Sequence, residues 1–273
     1  MPRRSWIHPE KIKKGLKTDL IGQRIQHFTE ATSTNDIAKK LASKGAEEGT
    51  VVISETQTLG RGRLSRRWAS PRGGIWLSTV LRPQIKPKEA PKLTLVAAVV
   101  VAQTIKEIFG LNAEIKWPND VLIKGRKVCG ILTETSIKGE TIDFAVVGIG
   151  INANTSLDSF PERLRGTLTS LKKELGEEID REDFLRALFE KLEHYYRLLE
   201  EEKFDLILQE WRSLGGFLGQ HVEVISLDEK IVGQAVDVNQ NGKLVIKLED
   251  GSERKVTVGD VIIRTRLYER ETD

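Results

Sequence analysis

Gly60-Arg61-Gly62-Arg63-Leu64-Ser65-Arg66-Arg67-Trp68 and, about fifty residues on, Lys116-Trp117-Pro118-Asn119-Asp120 decide the reading of this chain. The first stretch concentrates positive charge on a backbone that glycine leaves free to bend. Such a loop can wrap an anion with N–H groups and guanidinium forks. The second sets a lysine, an amide and a carboxylate around a rigid Trp-Pro step. A G-x-x-x-x-G-K-[ST] phosphate loop is absent from the sequence. Together the two stretches suggest an enzyme that handles a nucleoside triphosphate by other means.

Composition narrows the classes. The chain has 273 residues and is 39% hydrophobic, enough for one large core or two domains. Its net charge of +3 is too small to imply nucleic acid. The single cysteine, Cys129, can form no internal disulfide, which fits a reducing, cytoplasmic setting. The longest apolar run, Leu93 to Ala102, is too short to span a bilayer, and no signal peptide opens the sequence. Four scattered histidines argue against a His/Cys metal site.

Working outward, Met1 to Thr18 is basic and aperiodic and reads as a mobile arm or lead-in. A strand over Arg24 to Phe28 precedes a helix start at Thr32-Ser33-Thr34-Asn35, with Ser33 or Thr34 capping. Val51 to Ser54 and Ile75 to Arg82 read as strands flanking the Gly/Arg loop. A largely apolar helix spans Pro91 to Phe109 and stops at Gly110. Three β segments follow, Glu114 to Trp117, Val121 to Ile137 and Thr141 to Ile151, with turns at Lys124-Gly125-Arg126 and Lys138-Gly139-Glu140. Arg181 to Glu202 and Phe204 to Ser213 read as helices. Beyond Gly215-Gly216, short strands are expected over Val222 to Ile225, Ile231 to Val238, Leu244 to Lys247, Arg254 to Val258 and Val261 to Arg264. Turns at Asp228-Glu229, Asn241-Gly242, Asp250-Gly251 and Gly259-Asp260 separate them, the spacing of a small β-barrel.

Each constellation has a plainer reading. The Gly/Arg loop could be a solvated basic turn, although Gly60, Gly62, Gly73 and Gly74 suit a loop that closes over a ligand. Arg61 and Arg63 are expected on opposite sides of the loop. Pro118-Asn119-Asp120 is good turn chemistry, but the turn does not explain Lys116-Trp117. Asp120 can hold a hard cation such as Mg²⁺. Lys127 alone is an exposed strand lysine; a hairpin would bring it back beside Asn119 and Asp120. Ser33-Thr34-Asn35 is most simply a helix cap, and Gln57 a strand-end residue. Gly148-Ile149-Gly150-Ile151-Asn152 lacks the dinucleotide pattern and marks a strand that another backbone or a ligand approaches closely. Trp68 and Trp117 can stack on a purine or fill core.

In combination these residues resemble the biotin protein ligases of the biotin–[acetyl-CoA-carboxylase] type, over Ile21 to about Arg264. The carriers are Ser33-Thr34-Asn35, Gln57, the Gly60–Arg63 repeat, Lys116 to Asp120, Lys127 with Gly130-Ile131-Leu132, and Gly148 to Asn152. The family loop commonly reads Gly-Arg-Gly-Arg-Arg-Gly-Arg; here Leu64-Ser65 replaces an Arg-Gly. The resemblance implies an α+β fold, a mixed β-sheet flanked by helices (class II synthetase-like) with a C-terminal SH3-like β-barrel. It implies an N-terminal arm over 1–20, a catalytic domain over 21–215 and the barrel over 216–273. Ser33, Thr34, Asn35, Gln57, Arg61, Gly62, Arg63 and Lys127 would bind biotin. Arg63, Arg66, Trp68, Lys116, Asn119 and Asn152 would serve ATP, with Asp120 on Mg²⁺ and Lys127 and Arg63 catalytic.

The implied reaction joins biotin and ATP as biotinyl-5′-AMP, then passes biotin to a lysine of a biotin carboxyl carrier protein. A lipoate or octanoate ligase or transferase of the same fold is the alternative. Residues 1–20 are too few for a winged helix of roughly 60 residues, so sequence-specific DNA binding is not expected, nor a membrane partner; a homodimer is compatible. A non-enzymatic sensor of biotinyl-AMP would need a DNA-binding module.

Overall fold

A run of buried β-branched residues, Val51-Val52-Ile53, explains why the sheet has helices on both sides: a strand buried on both faces must be covered on both. The computed structural model describes residues 6–225, 229–257 and 259–263. Seven strands form the main sheet: β1 (Ile25–Phe28), β2 (Val51–Ser54), β3 (Ile75–Leu81), β4 (Ala113–Lys116), β5 (Asp120–Ile123), β6 (Arg126–Lys138) and β7 (Thr141–Ile151). Their order is β1-β2-β3-β7-β6-β5-β4. Only β1 and β2 run parallel; the other pairs are antiparallel. The sheet is therefore mixed, as expected. The expected Val121 to Ile137 segment is two strands, because Lys124 and Gly125 both have positive φ and close a tight two-residue hairpin.

One face of the sheet packs on a long helix that two further helices cover in turn. In chain order the helices are α1 (Pro9–Lys13), α2 (Thr34–Ser43), α3 (Pro91–Phe109), α4 (Glu162–Arg165), α5 (Leu171–Leu175), α6 (Arg181–Glu200) and α7 (Phe204–Leu214). Pro91 opens α3 with a fixed φ and no wasted donor. Gly110 ends it in the left-handed region. The helix is buried on most sides because α6 and α7 cover it opposite the sheet. Ile75, Ile115, Val121, Cys129 and Ile151 form one row of the sheet's side of this core. Burial pushes the Cys129 thiol pKa far up. On the other face α2 covers only one end, through Ala38 and Ala42 against Val52, Val80 and Val146. The rest of that face is left for the site.

The lead-in expected to be mobile is docked from residue 6 onward. Ile7 and Ile12 are buried, and the Ile7 N–H donates to Glu55 Oε1 at 2.7 Å. Asp19, Leu20 and Ile21 donate their N–H groups to Glu193 at 3.0, 2.9 and 2.9 Å. Two buried carboxylates supplied from distant elements do what periodicity normally does, so the sequence pattern could not reveal it. Residues 1–5, with Arg3 and Arg4, lie outside the described residues.

After α7 come β8 (His221–Ile225), β9 (Lys230–Val238), β10 (Leu244–Lys247), β11 (Glu253–Val256) and β12 (Asp260–Ile263), an antiparallel sheet in the order β11-β10-β9-β8-β12. Among the described residues β11 and β12 are its edges. Asp228, Val258 and Arg264, which belong to the expected turns and strands, lie outside the described residues. Among those described, no helix is long and apolar enough to cross a membrane.

Glu193 offers a test of the docked lead-in. Burial raises its pKa, but the backbone donors of Asp19, Ile21 and Leu20 and the Arg197 side chain outweigh that, leaving it below its ordinary 4.5. A carboxylate lowered by folding stabilises fully above 4.5, and the contribution disappears as pH falls through the folded-state value. Glu193→Gln is expected to cost about 1–3 kcal/mol at neutral pH. The gap from wild type should narrow on acidification. Urea midpoints across pH measure this; a gap that widens toward acid contradicts it.

Candidate functional site

The uncovered face of the sheet carries a transverse row of paired residues: Ser54, Trp76, Gly150, Gly130, Asp120 and Lys116. Paired residues on neighbouring strands share a face, so the two central glycines leave a flat strip. The Trp68 indole lies on that strip. A Cβ at Gly130 would sit 2.8 Å from Trp68, and one at Gly150 only 2.4 Å from it. Trp76 meets the same indole edge-on at a centroid distance of 6.3 Å. One residue pair along, Gly148 leaves room for Asn35, whose Oδ1 would lie 2.0 Å from a Cβ there. The close approach expected along Gly148 to Asn152 is made not by another backbone or a ligand but by two side chains of the protein itself, Asn35 and Trp68, which fill the space that the missing Cβ atoms leave.

Above this floor is a cavity of about 250 Å³. One end is neutral and polar. Ser33 caps α2 by accepting from the Asp36 N–H at 3.4 Å. Gln57 Oε1 accepts from the Thr34 N–H at 2.8 Å, and its amide donates to Ser70 Oγ at 2.7 Å. Ser78 Oγ donates to Asn35 Oδ1 at 2.6 Å and lies 2.8 Å from Thr34 Oγ1. The α2 N-terminus is thus wired to the loop entrance through Gln57. Asn35 borders the cavity, but its amide is spent on Ser78, on the Leu132 carbonyl and on Glu134.

The other end is cationic. Lys127 Nζ lies 2.7 Å from Asp120 Oδ1 and 5.1 Å from the Trp68 ring centre. A β-bulge makes this possible. Val121 pairs with Cys129 but Leu122 pairs with Lys127, so Val128 is an extra residue that turns Lys127 toward the cavity. Lys127 is further held by Thr167 and Thr169, which exchange backbone hydrogen bonds with it at 2.9 and 3.0 Å.

The Gly/Arg loop roofs the site as a small hairpin, with Gly62 N–H to Arg66 O at 2.7 Å and Trp68 N–H to Gly60 O at 2.9 Å. Its tip carries Leu64 at φ 52° and Ser65 at φ 58°, a geometry that glycine or asparagine adopts more cheaply. Arg61 and Arg63 diverge because the chain bends at Arg63; a regular extended strand would put residues two apart on one face. Arg61 reaches Asp36 at 2.7 Å and Glu134 at 3.1 Å. Its pKa is raised, first by the Asp36 hydrogen bond. Arg63 donates to Asn119 Oδ1 at 2.9 Å and to the Gly259 carbonyl at 3.3 Å, and burial lowers its pKa. Arg66 pairs with Asp260. The C-terminal sheet therefore touches the roof through Gly259 and Asp260.

Of the expected residues, Ser33, Thr34, Asn35, Gln57, Arg61, Gly62, Arg63, Arg66, Trp68, Asn119, Asp120 and Lys127 border one cavity. Lys116 and Asn152 do not. Lys116 stands opposite Asp120 at the outer edge of the row, on the last strand of the sheet. Asn152 is fully buried behind the wall, where Nδ2 donates to the Thr169 carbonyl at 3.0 Å. It buttresses the segment that holds Lys127. Sequence reasoning did not single out Ser70, Ser78, Glu134, Asp260 or the Phe160–Leu168 wall, which carry no motif. Among the described residues no three carboxylate, histidine or cysteine groups gather as a metal site. Of the two carboxylates that border the cavity, Asp120 lies beside Lys127 and Asp260 beside Arg66, and one such carboxylate suits a Mg²⁺ that arrives on phosphates and keeps its waters.

Comparison with known proteins gives the same picture from outside. The profile of the Biotin/lipoate A/B protein ligase family matches residues 27–152, and that of the Biotin protein ligase C terminal domain matches residues 217–264. The Bifunctional ligase/repressor BirA of Bacillus subtilis is 38% identical over 91% of this chain and 77% of its own length. The Biotin--[acetyl-CoA-carboxylase] ligase of Mycobacterium tuberculosis is 30% identical, covering 96% and 99% of the two chains. The structure of the biotin protein ligase of Aquifex aeolicus in complex with biotin and ATP superposes with a TM-score of 0.77 at 30% identity, over 89% of this chain and 99% of that one.

The glycine floor yields a clean test. Gly150→Ala places a methyl group where the Trp68 indole rests. The overpacking is expected to cost about 1–3 kcal/mol and to lift Trp68 into solvent. Unfolding midpoints and a red shift in tryptophan emission are the measures. Unchanged emission would mean that the indole does not lie on the strip.

Proposed function

The chain belongs to the biotin/lipoate protein ligase family and is an ATP-dependent biotin protein ligase; we propose that the roofed cavity over Gly130 and Gly150 carries both of its half-reactions. The observation that carries this reading is the Lys127–Asp120 pair, which stands in the cationic end of a cavity whose other end is neutral and polar. Biotin would lie toward Ser33, Thr34 and Gln57, whose polar atoms suit uncharged donors and acceptors. ATP would lie toward Arg63, Arg66, Asn119 and Trp68, with the purine against the indole.

In the first step a carboxylate oxygen of biotin bonds to the α-phosphorus, and pyrophosphate leaves with the bonding electrons. Two anions must meet, so the Lys127 ammonium between them neutralises charge where it builds up. Arg63 and Arg66 would hold the departing phosphates. Mg²⁺ brought with ATP would shield the phosphates, with Asp120 the nearest carboxylate. In the second step an acceptor lysine, as the free amine, attacks the acyl carbon. An amide forms, AMP leaves, and the amine proton passes to solvent. No covalent bond to the protein is needed. Relatives named biotin–[acetyl-CoA-carboxylase] ligases support the carboxylase's carrier protein as the acceptor. Residues 21–215 would supply the chemistry, and 216–273 would brace the roof through Gly259 and Asp260.

ATP-dependent transfer of labelled biotin to a carrier domain tests the reading, with lipoate and octanoate as competitors. Labelling with either competitor in place of biotin would reassign the substrate. Lys127→Ala is expected to slow adenylate formation by roughly 10²-fold or more while leaving the fold intact. Single-turnover pyrophosphate release measures it, and a variant within a few-fold of wild type removes Lys127 from the chemistry.

Arg63 ties the roof to Asn119 and Gly259. Arg63→Ala should therefore both weaken ATP binding and let the acyl-adenylate escape to water or stray amines. Labelling of bystander proteins added to the assay is the readout. Labelling confined to the carrier lysine would show that the roof shields by other means.

A further inference from the structure

Two of the residues expected to serve biotin converge on one carboxylate that no motif contains. Glu134 lies on β6, two pairs beyond Gly130 on the same face, opposite Val146. Its Oε2 accepts from Asn35 Nδ2 at 2.9 Å. Its Oε1 lies 3.1 Å from Arg61 and 2.9 Å from Lys39. The side chain is only 20% exposed. Burial alone would raise its pKa, but bonds from Asn35 and Lys39 and the Arg61 charge lower it, so the group is an anion at neutral pH. It does not border the cavity.

This arrangement joins three elements at one point. Asn35 and Lys39 belong to α2, Arg61 to the entering limb of the roof hairpin, and Glu134 to the sheet. Asp36 takes the same guanidinium nitrogen, Nη1, at 2.7 Å, so that nitrogen is shared between two carboxylates. Its place in the site is that of a strut. The neighbours of that strut, Gly60 and Gly62, have few steric limits of their own. The position of the roof's entering limb over the polar end therefore depends on what holds Arg61 together with the backbone bonds of Gly60 and Gly62 across the hairpin.

Resting on the ligase reading above, we propose that Glu134 is a positioning residue for biotin, pinning the entering limb of the Gly/Arg loop to the α2 N-terminus through Arg61 and Asn35. The departing limb, with Arg66 and Trp68, is bonded across the hairpin to Gly60 and Gly62 but has side-chain anchors of its own in Asp260 and the glycine strip. The two limbs thus have different anchors, and Glu134 governs only the biotin side.

The test is Glu134→Gln, which keeps the size and the Asn35 contact but removes the charge from Arg61. Displacing a binding group by a fraction of an ångström costs roughly ten- to a hundredfold. The biotin KM should rise by about that factor, while the ATP KM and kcat at saturating biotin stay within about twofold. Arg61→Met should raise the biotin KM similarly, and the double variant should be no worse than either single one. Lys39→Met touches the same carboxylate but not the loop, and should leave the biotin KM unchanged. Hydrogen exchange at Gly60 to Gly62 should quicken in E134Q without ligand. Where E134Q proves too unstable to assay, Glu134→Asp withdraws the charge by one methylene and should show the same selective rise. Equal rises in both KM values, additive effects of E134Q and Arg61→Met, or a lowered Tm with unchanged KM would each overturn the proposal. Absence of biotin activity in wild type would instead overturn the ligase reading.

Discussion

A strip of sheet without side chains governs this site. Most strand positions present a Cβ, and a seven-stranded sheet offers little room on its face unless some are removed. Gly130 and Gly150 are paired neighbours on β6 and β7. Their coincidence on one row creates a shelf wide enough for an indole. Trp68 rests on the shelf, so the departing limb of the roof takes its height from it. Lys127 lies over the same indole, so the central cation is spaced from the same shelf. Two backbone positions thus set the geometry of aromatic, cation and roof together.

Three cations of the cavity are closely paired in advance: Lys127 with Asp120, Arg66 with Asp260, and Arg61 with Asp36 and Glu134. Like charges crowded into a loop would otherwise repel and spread. Pairing orients them before any ligand arrives, which lowers the reorganisation needed when an anion enters. The pairs differ in permanence. Arg66 is 63% exposed on its side chain and can exchange partners with little desolvation, whereas Glu134, at 20%, is set into the wall. Exchange and permanence would suit the proposed nucleotide end, which must release product, and the proposed biotin end, which must keep its shape.

Much of this was legible in the sequence because it is local. Val51–Ser54, Pro91–Phe109 and Leu244–Lys247 match their expected bounds, since periodicity and end signals sit within the segments themselves. Lys127 beside Asp120 followed from the Lys124-Gly125 turn. What was hidden is relational. The Val128 bulge, which turns Lys127 inward, appears only when two strands are aligned. Docking of the lead-in depends on Glu55 and Glu193, far along the chain. Glu134 looks like an ordinary polar residue in a strand until Asn35 and Arg61 arrive beside it. Asn152 belongs to a recognisable run, yet its side chain faces the Thr169 carbonyl rather than the cavity.

Cys129 is the chain's one thiol. It sits in the core row behind Asp120, fully enclosed, with its ionisation suppressed by burial. A sulfur that neither ionises nor meets solvent is silent to alkylating reagents. The native protein therefore offers a blank background for labelling chemistry. A cysteine introduced at half-exposed Leu59, just before the roof hairpin, would carry a fluorophore or spin label as the single reactive site. The roof's motion could then be followed in solution without first stripping a residue from the core.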